Sequence, residues 1–71
     1  MLQFEKSFTP KIGDLLKETI VYENGKPLLD ERCVSKHVFT VIAIYEDNAV
    51  CLFRQDGRMK RCSICAFFRV C

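Results

Sequence analysis

The apolar residues of this chain fall in short runs rather than at helical spacing. Residues 38–45 (VFTVIAIY) and 49–54 (AVCLFR) are β-branched and aromatic, and Glu46-Asp47-Asn48 separates them. Asp56-Gly57 then precedes a third short run, 58–62. Asp-Gly tolerates the positive φ of a tight hairpin turn and Asn48 does so nearly as well, so the pattern predicts a three-stranded meander. Residues 12–22 (IGDLLKETIVY) fit either a helical stripe or one face of a strand. Pro10 and Gly13 at the start and the β-rich Thr19-Ile20-Val21-Tyr22 at the end favour a strand, after which Asn24-Gly25 makes a turn. Residues 23–36 read as a long charged loop with one helical turn at 28–33. Residues 63–67 read as a single 3₁₀ turn before a closing strand, 68–71.

Five short strands, a long first loop and a 3₁₀ turn before the last strand are the layout of an all-β, five-stranded barrel of the Src-homology-3 (SH3-like) type, which hides sheet edges in very few residues. One domain spans 1–71, with 1–9 as an N-terminal extension. The run 38–45 adds a complication. Val38, Thr40, Ile42 and Ile44 would form one face and Phe39, Val41, Ala43 and Tyr45 the other, yet both are apolar. Either the N-terminal segment covers the outer face with Leu2, Phe4 and Phe8, or a second copy or another protein does.

Composition adds little to the fold and something to the function. A chain of 71 residues, 49% hydrophobic and 28% charged, should fold, but at this size only about 60% of the unfolded surface is buried and a staple, metal or partner helps. Charge appears early and no apolar run approaches the ~20 residues of a membrane span, so a cytoplasmic location and no membrane partner are expected. In a reducing compartment the five cysteines are free or metal-bound. Charge is uneven: 1–48 carry six Lys/Arg against eight Asp/Glu, while 49–71 carry five against Asp56 alone. The basic C-terminal third permits an anionic partner.

At the level of motifs, FTPKIGDLL followed by FTVIAI, NAVCLFRQDG and KRCSICAFFRV resembles the small bacterial barrel proteins of the YodC type. The resemblance covers residues 8–70. Gly13-Asp14 matches that group's opening, Val50-Cys51 its central strand and Phe67-Phe68 its end. The chain lacks the group's Gly-Gly-Pro turn and central Trp, and adds an acidic loop and a Cys-x-x-Cys. What the resemblance implies is the barrel fold; it brings no activity.

Three sets of residues carry candidate chemistry. Cys33 and His37, followed by Cys62 and Cys65, have the two short-spaced pairs of a tetrahedral zinc site, with Cys71 as a substitute for His37; such a metal would be structural and would staple the domain. The opposing reading is four side chains of which the thiols are small buried hydrophobes. A redox role for Cys62 and Cys65 lacks the helix N-terminus that lowers a thiol pKa. The basic stretch 54–61 is the second set. On a hairpin Arg58 and Lys60 project to one face with Arg54 near them, Arg61 points the other way, and Tyr45, Phe53, Phe67 or Phe68 would supply stacking for a nucleic acid. A solvated hairpin tip is the simpler reading. The doubly apolar strand is the third set. A Gly-rich phosphate loop is absent, one His must serve any acid–base scheme, and the serines lack an elbow motif, so no enzyme is expected. The leading expectation is a non-enzymatic binding module of bacterial or phage type, docking on a protein partner as a regulator or inhibitor through the apolar face and the 54–61 hairpin.

Overall fold

Asn48 and Gly57, at φ 65° and 93°, turn the chain through conformations that most side chains avoid. Around the first, Tyr45 N–H donates to Ala49 C=O at 2.9 Å; around the second, Arg54 N–H donates to Arg58 C=O at 2.8 Å. Both are hairpin loops that end in a positive-φ residue, a form that suits the right-handed twist of the flanking strands. The computed structural model describes residues 3–71. Its strands are β1 (Phe4–Glu5), β2 (Leu15–Glu18), β3 (Tyr22–Glu23), β4 (Lys26–Pro27), β5 (Phe39–Ile44), β6 (Val50–Arg54), β7 (Met59–Cys62) and β8 (Phe67–Val70). A 3₁₀ turn, Ile64–Ala66, precedes β8, capped by Ser63, whose Oγ accepts from Cys65 N–H.

All pairings are antiparallel, and the main sheet runs β1-β8-β2-β5-β6-β7. Among the described residues no ladder joins its two ends, so what the ladders establish is an all-β antiparallel fold. The meander, the turn at Asn24-Gly25 and the 3₁₀ turn lie where the sequence predicts them. Two elements differ. Residues 12–22 do not form one continuous strand: β2 stops at Glu18, Thr19 leaves the ladder to bridge Val34 and begin the long loop, and Tyr22 already belongs to β3. The helical turn expected at 28–33 is instead a tight turn in which Cys33 N–H donates to Asp30 C=O at 2.9 Å, while Asp30 is drawn into an ion pair with Arg32.

The register explains what is buried. Leu16 opposes Phe39, Phe39 opposes Arg54, and Val41 opposes Leu52. These side chains share the inner face, where Leu16, Phe39, Val41, Val50, Leu52, Ala66 and Phe67 form one cluster with Phe8, Cys62 and Ile64 against it. Phe39 and Phe67 meet edge to face, 5.7 Å between centroids. In β5 the pairing jumps from Val41–Leu52 to Ala43–Cys51, so Ile42 is the extra residue of a β-bulge. Phe39 and Val41 are buried whereas Ile42 and Ile44 remain 42% and 41% exposed, and past the bulge Ala43 and Ile44 stand opposite Cys51 and Val50.

The N-terminal segment covers a different strand from the one expected. Phe67 and Phe68 point to opposite faces of β8, as consecutive strand residues must. Phe67 enters the inner cluster, whereas Phe68 is buried on the outer face beneath Phe4, 5.8 Å away and edge-on. β1 pairs with β8 through Phe4–Val70 and Glu5–Arg69, and Phe8 packs on the inner cluster. Leu2 lies outside the described residues.

The long loop is tied to the end of β2 by backbone bonds, among them Ser35 N–H to Glu18 C=O at 2.7 Å, and by one buried hydroxyl. Thr19, 2% exposed, donates through Oγ1 to Leu28 C=O at 2.7 Å, while its backbone N–H reaches Ala66 C=O at 2.8 Å. Once buried, this polar group must be satisfied, and the loop carbonyl of Leu28 supplies its acceptor.

Candidate docking surface

The basic hairpin builds a cleft of about 240 Å³ lined by Phe39, Arg54, Arg58, Met59 and Lys60. Lys60 opposes the buried Leu52 and so leans over the inner face, its Nζ 4.9 Å from the centroid of Phe39 and 5.4 Å from that of Phe67. Arg61 opposes Cys51 on the other face and lies 4.1 Å from the Tyr45 ring. Arg54, Arg58 and Lys60 therefore gather at the cleft, and Arg61 and Tyr45 stand apart from them on the outer side.

These cations already have partners. Arg54 forms a two-pronged pair with Asp56, whose carboxyl is held far below the usual carboxylate range, first by Arg54 and then by the Arg58 N–H and nearby charge. Arg58 reaches the same carboxylate through Nε at 3.4 Å. Lys60 meets Glu18 at 3.2 Å and Arg61 meets Asp47 at 3.0 Å. Asp47 is lowered chiefly by the Ala49 N–H and then by Arg61. At the cleft two guanidinium groups share Asp56, so one positive charge is left uncompensated. Arg58 carries it, with its side chain 77% exposed.

The stacking partners a nucleic acid would need are mostly taken. Phe67 and Phe68 are buried, and one face of Tyr45 is covered by Arg61. The neighbouring Cys51 side chain pushes the Tyr45 phenol pKa up. Phe53 remains open, at 38% exposure.

Phe53 belongs to a row that the sequence does not show as one feature. Across the outer face the register places Phe4 opposite Val70, Val70 opposite Leu15, Leu15 opposite Thr40, Thr40 opposite Phe53 and Phe53 opposite Met59. Side chains directly opposite in antiparallel strands stand together on one face. The N-terminal end of this row is covered by β1, while Leu15, Phe53 and Met59 are 44%, 38% and 65% exposed, and Ile42 on the bulge adds to them. Sequence inspection passes over Leu15 and Met59, since an apolar residue beside charged ones reveals its face only once its strand partner is known. Glu18 is missed for the same reason.

The described residues hold no group of three or more His, Cys, Asp or Glu side chains able to surround one metal ion, so Cys33, His37, Cys62 and Cys65 are not brought together as a set. Cys33 sits in the long loop beside Ile20, whose N–H donates to its carbonyl. The His37 backbone N–H donates to Ser35 Oγ at the entry to β5. Cys62 is half-buried against the core, and desolvation raises its thiol pKa. Cys65 is exposed on the 3₁₀ turn. Cys71 is bound elsewhere: its Sγ donates to Glu5 Oε1 at 2.8 Å, which raises the thiol and lowers the carboxyl.

No helix among the described residues is long and apolar enough to cross a membrane. Compared with protein-family models, curated proteins and solved structures, the chain matches none.

Proposed function

We propose that this chain is a small SH3-like barrel acting as a non-enzymatic binding module, which docks on a protein partner as a regulator or inhibitor. The sheet order β8-β2-β5-β6-β7, the long loop between β2 and β5 and the 3₁₀ turn before β8 support the barrel reading. The observation that carries the docking reading is the outer apolar row, which runs uncovered from Leu15 through Thr40 and Phe53 to Met59 and ends at the edge of the sheet. Exposed apolar side chains continuous over several strands gain about 25 cal/mol for each Å² removed from water, so a partner that covers them is favoured.

Phosphate binding by the 54–61 hairpin has less support, because a nucleic acid would have to displace Glu18, Asp47 and Asp56 from the cations it needs. The test uses purified protein with Phe53→Asp and Met59→Asp, both on exposed positions. Native mass spectrometry distinguishes self-association from capture of another chain. A complex or dimer formed by the parent and lost by both variants supports docking through this row; complexes unchanged in both variants remove it.

A further inference from the structure

The free edge of the sheet, β7, shows what kind of partner fits. It ends the order of the main sheet, and among the described residues no strand pairs with its outer side. Its hydrogen-bonding phase follows from the hairpin. Arg54 N–H donates to Arg58 C=O, and inward and outward pairs alternate along an antiparallel ladder. Lys60 and Cys62 therefore exchange bonds with β6, and the N–H and C=O of Met59 and Arg61 point away from the sheet. An extended segment has a template there.

Charge decides which segment. Arg58, Lys60 and Arg61 lie along this edge, so a second copy pairing on β7 would set these cations against themselves. A segment carrying carboxylates would not. The two faces of β7 then assign its side chains in alternation. On the outer face stand Met59 and its neighbour Phe53, which suit apolar residues. On the inner face stands the cleft at which Phe39, Arg54, Arg58 and Lys60 gather, in which Asp56 serves two guanidinium groups and Arg58 keeps unused donors.

We infer that β7 accepts an extended acidic peptide as an added antiparallel strand, with apolar residues on the Phe53–Met59 row and a carboxylate seated in the cleft against Arg58. This rests on the docking reading above and names its partner's chemistry. Main-chain bonds at Met59 and Arg61 supply the register-independent part of the affinity, and the Arg58 guanidinium selects the sign of charge.

The probes are two acetylated, amidated hexapeptides, one alternating Glu and Val and the other alternating Lys and Val, titrated into isotope-labelled protein and followed by amide chemical shifts. The acidic peptide should bind at least about tenfold more tightly, since hydrogen bonds to charged groups of this kind are worth that factor or more. Its shifts should centre on Met59 to Cys62, with the outward Met59 and Arg61 amides gaining protection from exchange. Arg58→Glu, on an exposed side chain, should abolish the preference or reverse it, and Arg58→Gln should weaken the acidic peptide alone. Equal binding of the two peptides, shifts centred away from β7, or an unchanged preference in Arg58→Glu would each overturn the inference. These readouts touch only the edge and cleft; failure here with complexes still lost in Phe53→Asp would leave docking through the outer row standing.

Discussion

At the scale of single residues, Thr19 does more for the fold than its place in the sequence suggests. Its hydroxyl, buried at 2% exposure, bonds Leu28 C=O and approaches Cys33 C=O, tying the middle of the long loop to the end of β2. Thr19→Val keeps the shape and removes the donor, so that Leu28 C=O retains only the Asp30 N–H. The expected loss is about 0.5–1.5 kcal/mol, the net worth of one hydrogen bond, read as a lower urea midpoint, while Thr19→Ser retains most of the stability. Equal midpoints for parent and Thr19→Val would mean that water already serves Leu28. A Thr between Glu18 and Ile20 reads as strand-forming, and nothing in the sequence says that its hydroxyl will be enclosed.

At the scale of elements, β8 is packed on both faces. Phe67 belongs to the inner cluster and Phe68 to a smaller contact with Phe4. The two layers should respond differently. Phe68→Ala empties a fully buried site and should cost about 3–5 kcal/mol. Phe4→Ala removes a half-buried lid and should cost about 1 kcal/mol, a fraction of full Phe burial. Because Cys71 N–H donates to Gln3 C=O beside this lid, Phe4→Ala should also speed hydrogen exchange at Cys71 while leaving Val50 and Leu52 protected. Uniform acceleration throughout the sheet would show that the lid and the core open as one unit.

The bulge in β5 acts at this same scale. By adding Ile42 to one strand, it shifts the register so that Val41 opposes Leu52 and, three residues on, Ile44 opposes Val50. The sequence gives equal reason to bury either face of 38–45, so the choice falls to the pairing partners. Leu16 opposite Phe39 and Leu52 opposite Val41 make the inner face the better packed one.

At the scale of the whole molecule, charge that is separated along the sequence is joined in space. Lys60, Arg61 and Arg69 of the basic C-terminal third meet Glu18, Asp47 and Glu5 of the acidic remainder. Glu5, Asp30, Asp47 and Asp56 all have lowered carboxyl pKa values, Asp30 to about 2. For Asp30 the Arg32 side chain is the first cause, and for Glu5 the thiol of Cys71 precedes Arg69. A depressed folded-state pKa contributes stability that is present above the unfolded value and lost as pH falls through the folded one. The urea midpoint should therefore hold steady above about pH 5 and decline from there toward pH 2, with a shallower decline in high salt because these groups are exposed. Asp56→Asn should remove part of that acid dependence; a variant that declines as steeply as the parent would exclude the Arg54–Asp56 pair as a contributor.

The chain's own pattern was enough to determine the class of fold, the three-stranded meander, the turns at Asn24-Gly25, Asn48 and Gly57, and the 3₁₀ turn before the last strand. These follow from local preferences: β-branched runs extend, positive-φ residues turn, and neither needs a distant partner. Grouping Arg54, Arg58 and Lys60 on one side of the hairpin was legible as well, since strand periodicity is two. Tertiary structure alone decided that Phe4 would cover Phe68 rather than β5, that Leu15, Phe53 and Met59 would align into one row, and that the basic segment would find its carboxylates. Each depends on cross-strand register between residues far apart in the chain, and register is fixed by which faces pack together, a property of the assembled sheet that no single segment carries.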